Sequence, residues 1–126
     1  MDQLTSGTAK RPVIICLSEA GFLLAQRLAK GIDADIHGHA LRCPQAPHHF
    51  GKARAHIANL FSSGRPIIGI CAAGILIRAV APHLQHKSSD APVLAIAESG
   101  RHVVPLIGGH HGAITLSRTV SELLAA

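Results

Sequence analysis

The chain has 126 residues, 48% hydrophobic and 15% charged, a size and balance that suit one globular domain and exclude a disordered chain. It carries no Trp, no Tyr and three Phe, so its core must be aliphatic and stacking platforms for nucleic-acid bases are scarce. The formal charge of +5 predicts attraction to anions, but Lys and Arg are scattered rather than gathered into an arm, which favours a small polycarboxylate over nucleic acid.

Met1 to Arg11 reads as a flexible lead-in without the apolar stretch of a secretory signal, and 12–126 as a single α/β domain. Val13 to Leu17 is a continuous apolar run, the pattern of a buried parallel strand. Ser18-Glu19-Ala20-Gly21 opens a helix, with Ser18 as N-cap and Gly31 as its stop. Ala34 to Ala40 suggests a short second strand. Leu41 to His49 holds Pro44 and Pro47 and reads as a loop. A helix from Gly51 to Ser62 sets Ala53, Ile57, Leu60 and Phe61 on one face.

A third strand starts at Pro66 and runs into the turn Cys71-Ala72-Ala73-Gly74, followed by a helix from Ile75 to Ala81 that Pro82 ends. Strands at Ala91 to Ala97 and His102 to Ile107 flank Glu98-Ser99-Gly100-Arg101, a spacing that suits a hairpin. A second glycine turn, Gly108-Gly109-His110-His111-Gly112, leads into a last helix, Ile114 to Leu124. The expected fold is α/β, a three-layer mixed and mostly parallel sheet with helices on both faces and one antiparallel hairpin.

Two turns in which an apolar strand gives way to a helix expose backbone N–H groups, so the ligand is expected where they converge. Ala72, Ala73 and Gly74 form one side of that expected site, and Gly108, Gly109, His111 and Gly112 the other. Arg78, Arg101 and His110 are candidate carboxylate ligands. Against these stand blander readings: Arg78 as a solvated helix charge, Arg101 as a surface turn residue, His110 as a turn histidine bonded to backbone.

Cys16, Cys43 and Cys71 form no C-x-x-C pair and read as reduced, buried thiols of a cytoplasmic protein. Cys71, at the first turn, is more often inert than nucleophilic in such a place, and Ser18 more often a cap than an anion ligand. Ten histidines raise a metal site, but His48-His49 and His110-His111 are adjacent pairs and no zinc-type ladder appears, so no metal is expected. No apolar run reaches the ~20 residues that span a bilayer, so no membrane partner is expected. A homodimer through a strand edge or a helix face is compatible with so apolar a chain.

The run Gly69-Ile70-Cys71-Ala72-Ala73-Gly74-Ile75-Leu76-Ile77-Arg78-Ala79-Val80-Ala81-Pro82, with Lys87, Asp90, Pro92-Val93, Glu98-x-Gly100-Arg101-x-Val103-Val104-Pro105-Leu106-Ile107 and Gly109-His110-x-Gly112, resembles the N-terminal part of the CbiG proteins of cobalamin biosynthesis. The resemblance implies a cobalt-precorrin-5A hydrolase, which opens a δ-lactone on the macrocycle and releases acetaldehyde. It implies an anionic tetrapyrrole as ligand, other cobalamin-biosynthesis enzymes as partners, and no cofactor, any cobalt arriving within the substrate. Lactone opening needs proton transfer, for which His110 is the first candidate and Glu98, at the end of a strand, the second. Similar domains occur fused to the precorrin-3B methyltransferase. A non-catalytic tetrapyrrole-binding or docking module of that enzyme is therefore the other reading.

Overall fold

A computed structural model describes residues 10–108 and 112–126. The chain begins with β1 (Val13–Cys16), α1 (Glu19–Ala29), β2 (Asp35–His39), β3 (His48–Phe50) and α2 (Ala53–Ser62). It continues with β4 (Ile67–Ile70), α3 (Ala73–Val80), a 3-10 turn at Ala81–His83, β5 (Val93–Ile96), β6 (Val103–Ile107) and α4 (Ala113–Leu124). Every residue of β1, β4 and β5 is buried, because both faces of the central sheet are covered.

The sheet order is β3-β2-β1-β4-β5-β6, parallel throughout except for the antiparallel pair β5 and β6. Strand periodicity sorts the core into two layers. Ile14, Cys16, Ile68, Ile70, Leu94 and Ile96 pack with α1 and α4, whereas Val13, Ile15, Ile67, Val93 and Ala95 pack with α2 and α3. This is the three-layer α/β arrangement that the alternation of strands and helices predicts. The chain winds outward from β1 through β2 to β3, then returns to the other side of β1 to form β4 and β5. Loops after β1 and β4 therefore diverge, and a crevice opens between their carboxyl ends.

Three local expectations change. The segment Leu41 to His49, read as a loop, ends in β3, whose His48, His49 and Phe50 pair with His37, Gly38 and His39. Three residues with no apolar alternation carry no strand signal of their own, and the edge of β2 creates this one. Lys10 and Arg11, assigned to the flexible lead-in, are both held: Lys10 donates to the Ser63 carbonyl, and Arg11 pairs with Asp33 and Asp35.

The third change concerns the two glycine turns, which do not converge. Because β6 runs antiparallel, it ends beside the start of β5, with Ile107 opposite Val93. A Cβ on Gly108, whose φ is +81°, would lie 2.9 Å from the Pro92 Cα. Gly112 borders a groove with Pro12, Pro66 and Pro92, the residues just before β1, β4 and β5. Both glycines thus lie at the amino end of the sheet, and the Cys71 to Gly74 turn lies at the carboxyl end.

Candidate functional site

A cleft of about 600 Å³ occupies the crevice at the carboxyl ends of β1, β4 and β5. Four connections supply its polar groups: Ser18 after β1, Arg42 after β2, Cys71 and Ala72 after β4, and Glu98 after β5. His102 joins them because β6 begins where β5 ends. Ile70, Ile75, Ala95, Ala97 and Val104 supply an apolar wall, so the cleft suits a ligand that is apolar in body and anionic or polar at its edge.

Glu98 is the cleft's one carboxylate among the described residues, and local backbone geometry fixes it. The hairpin closes with the Ala97 N–H donating to the His102 carbonyl at 3.0 Å and the Gly100 N–H to the Ala97 carbonyl at 2.8 Å. Gly100 has φ +76°, and a side chain there would also press on Leu24. The carboxylate accepts a hydrogen bond from the Ser18 hydroxyl. Ser18 in turn caps α1, its Oγ accepting from the Gly21 N–H at 3.0 Å.

Across the cleft, α3 begins at Ala73 with Ala72 in the cap position, and no side chain caps it. Ala72 and Ala73 face the cleft, so the unpaired N–H groups and positive dipole end of α3 favour negative charge there. The Cys71 thiol is pushed up to about 11 by burial, with the Glu98 charge adding to it. It is therefore a neutral thiol at ordinary pH, and it is only half-buried, where the sequence suggests a buried thiol. Cys16 and Cys43 are both buried, and the Cys43 thiol lies 3.4 Å from the Cys16 carbonyl and 3.3 Å from the Ser18 carbonyl, beneath the cleft.

Of the residues singled out in the sequence, Ala72, Ala73 and Glu98 come together in this cleft. Gly74 is the second residue of α3, directly behind them. Arg78 is elsewhere, in a groove between α2 and α3 with Lys52 and Arg54. Arg101 is exposed on the hairpin and does not line the cleft. Gly108 and Gly112 lie at the far end of the sheet, as described above. Gly109, His110 and His111 lie outside the described residues.

Sequence reasoning missed Arg42 and His102. Their one signal is topological: Arg42 follows the carboxyl end of β2, and His102 lies beside the carboxyl end of β5 because the hairpin returns there. Gly38 brings Arg42 to the cleft, since a Cβ on Gly38 would sit 2.6 Å from the Cys43 Cβ and 2.7 Å from the Ala46 Cβ. The loop after β2 can fold down onto the strand only because that side chain is missing.

A second polar cluster sits at the sheet's other edge. His37 Nδ1 and His56 Nε2 are 2.8 Å apart, the His37 and His48 rings are 4.9 Å apart, and Phe50 stacks on His56 at 4.7 Å. Burial first, and then the neighbouring imidazoles His56 and His48, push His37 down to about 4. The described residues contain no group of three donor side chains arranged to hold a metal ion.

Residues 55–126 match the CbiG_N family, described as cobalamin synthesis G N-terminal. The chain belongs to this family. A cobalt-precorrin-5A hydrolase of Salmonella typhimurium is 33% identical to this CbiG N-terminal chain over 115 residues, covering 90% of it. One from Priestia megaterium is 35% identical over 77 residues, covering 60% of it. The chain spans only 33% and 21% of those relatives' lengths. A cobalamin biosynthesis protein G homolog of known structure from Sulfolobus solfataricus superposes with TM-score 0.66 at 22% identity, covering 92% of this chain and 35% of that one, a likeness of fold. The match to residues 55–126 takes in the α3 turn and Glu98; Ser18 and Arg42 precede it.

Proposed function

We propose that this CbiG N-terminal domain acts in cobalamin biosynthesis by opening a lactone on an anionic corrin precursor, cobalt-precorrin-5A. The observation that carries the reading is a single fixed carboxylate, Glu98, facing the uncapped start of α3 across a largely apolar cleft. A macrocycle with acetate and propionate arms presents an apolar face to Ile75 and Val104 and a carboxylate to Arg42.

In this reading Glu98 takes a proton from water as the water oxygen bonds to the lactone carbonyl carbon. The charge that develops on the carbonyl oxygen is met by the N–H groups at the start of α3. The bond from carbonyl carbon to ring oxygen then breaks, and the protonated Glu98 returns its proton to the departing oxygen. Loss of acetaldehyde is a separate step: the carbon that bears the released hydroxyl breaks its bond to the macrocycle, the hydroxyl becomes the aldehyde carbonyl, and the ring carbon keeps the electron pair and takes up a proton. Because the relatives are about three times as long as this chain, the rest of such a protein is expected to cover the part of the macrocycle that a cleft of about 600 Å³ leaves exposed.

The test is incubation with cobalt-precorrin-5A, with lactone opening followed by mass spectrometry and binding followed by the corrinoid's absorbance. Glu98→Gln should lower turnover by about 100-fold or more while leaving binding within a few-fold. Undiminished turnover in that variant would overturn the reading. Binding without turnover by the parent chain would instead favour a docking module.

A further inference from the structure

We infer that Ser18 is a positioning residue for Glu98, so that the cap of α1 and the orientation of the candidate base are one device; the kinetic part of this inference rests on the proposed lactone-opening role. The argument is one of donors and acceptors. A serine hydroxyl has a single proton. The Gly21 N–H, 3.0 Å away, donates to the Ser18 Oγ and occupies one of its lone pairs. The Ser18 proton is therefore directed away from the helix, and its partner is the Glu98 Oε2.

The serine itself has little freedom to turn. Its backbone is extended, with φ −148° and ψ 164°, and its carbonyl accepts from the Phe22 N–H at 2.9 Å, with the buried Cys43 thiol between it and the Cys16 carbonyl. Glu98, by contrast, is an exposed residue on a hairpin, and Ser18 is the one side chain among the described residues that bonds its carboxylate. One Glu98 oxygen is thereby held, and the other carries no hydrogen bond from the described residues, in a residue that lines the cleft.

A cap and a positioning group predict different things for different substitutions. Glycine caps a helix nearly as well as serine, whereas alanine does not, and threonine retains both the cap and the hydroxyl. Ser18→Gly therefore removes the bond to Glu98 with little loss of helix, and Ser18→Thr keeps the bond. The chain has three glutamates, Glu19, Glu98 and Glu122, so labelling the glutamate carboxyl carbon with 13C gives three NMR signals, with Glu98 assigned by its loss in Glu98→Gln.

At pH 7 and without substrate, the Glu98 signal should move in Ser18→Gly and remain near its parental position in Ser18→Thr. With cobalt-precorrin-5A, Ser18→Gly should lower kcat by about tenfold with KM within twofold, and Ser18→Thr should recover most of it. A Glu98 signal unmoved by Ser18→Gly overturns the inference, as does a kcat equal to the parent's when Glu98→Gln has lost turnover. If the signal moves as expected but Glu98→Gln turns over normally, the contact stands and the proposed base falls, so the two failures are distinguishable.

Discussion

Cys71 and Glu98 line one cleft, and their chemistry is set by opposite circumstances. Cys71 is shielded and beside a negative charge, which keeps it a thiol, while Glu98 has a hydroxyl donor and access to water. Cys71→Ala should accordingly leave any turnover within a few-fold of the parent. The parent should react slowly with iodoacetamide at pH 7.5, since a thiol pushed up to about 11 holds almost no thiolate there. Rapid alkylation accompanied by loss of turnover would contradict this. Glu98 is legible in the sequence because it follows an apolar run and precedes Gly100, the signature of a strand end. Ser18 is legible as a cap, but nothing in the chain says that a residue 80 positions later will accept its hydrogen bond.

Elements with a strong period of their own are legible, and those created by a neighbour are not. β1, β4 and β5 are runs of buried aliphatics, and each helix carries an apolar face, so their placement in the sequence needs only local reasoning. β3 has no pattern and depends on the register that sets His37 opposite His48. The hairpin is itself visible in the sequence, and its consequence is what the convergence of the two glycine turns overlooks: reversing β6 sends Gly108 to the amino end. Gly38 is likewise unremarkable as a letter, yet the loop bearing Arg42 rests on it. Gly38→Ala should lower stability by roughly 1–3 kcal/mol through overpacking against Cys43 and Ala46. A urea midpoint unchanged by that substitution would show that the loop can lift away without cost.

At the scale of the whole domain, two sets of charges make stability depend on pH. His37 titrates at about 4 when folded, against an ordinary value of 6.5, so the unfolded chain takes up the proton first. The stability that neutral His37 contributes is complete above 6.5 and is lost as pH falls toward 4. Asp35 is held down to about 2 from 3.8 by hydrogen bonds and charge from Arg11 and Arg65. Its contribution, which ties β2 to the segments before β1 and β4, is lost lower down, between 3.8 and 2. Thermal midpoints from pH 8 to pH 3 should show little change above 7 and a decline of several degrees between 6.5 and 4. His37→Gln should flatten that decline, whatever it does to the midpoint itself.

The two rims of the sheet are blunt. β3 is three residues long, and β6 carries Pro105 beside a register shift opposite Val93 and Leu94. A proline has no N–H to offer a newcomer, and a bulge bends the ladder away from it. An outer strand reading Val-Val-Pro-Leu-Ile, with Val104 48% exposed, would otherwise be a template for endless stacking of copies into fibrils. The proline is thus a safeguard on colloidal behaviour more than a feature of the fold. Pro105→Val should leave the far-ultraviolet circular dichroism unchanged while shortening the lag before thioflavin-positive aggregate forms at high protein concentration.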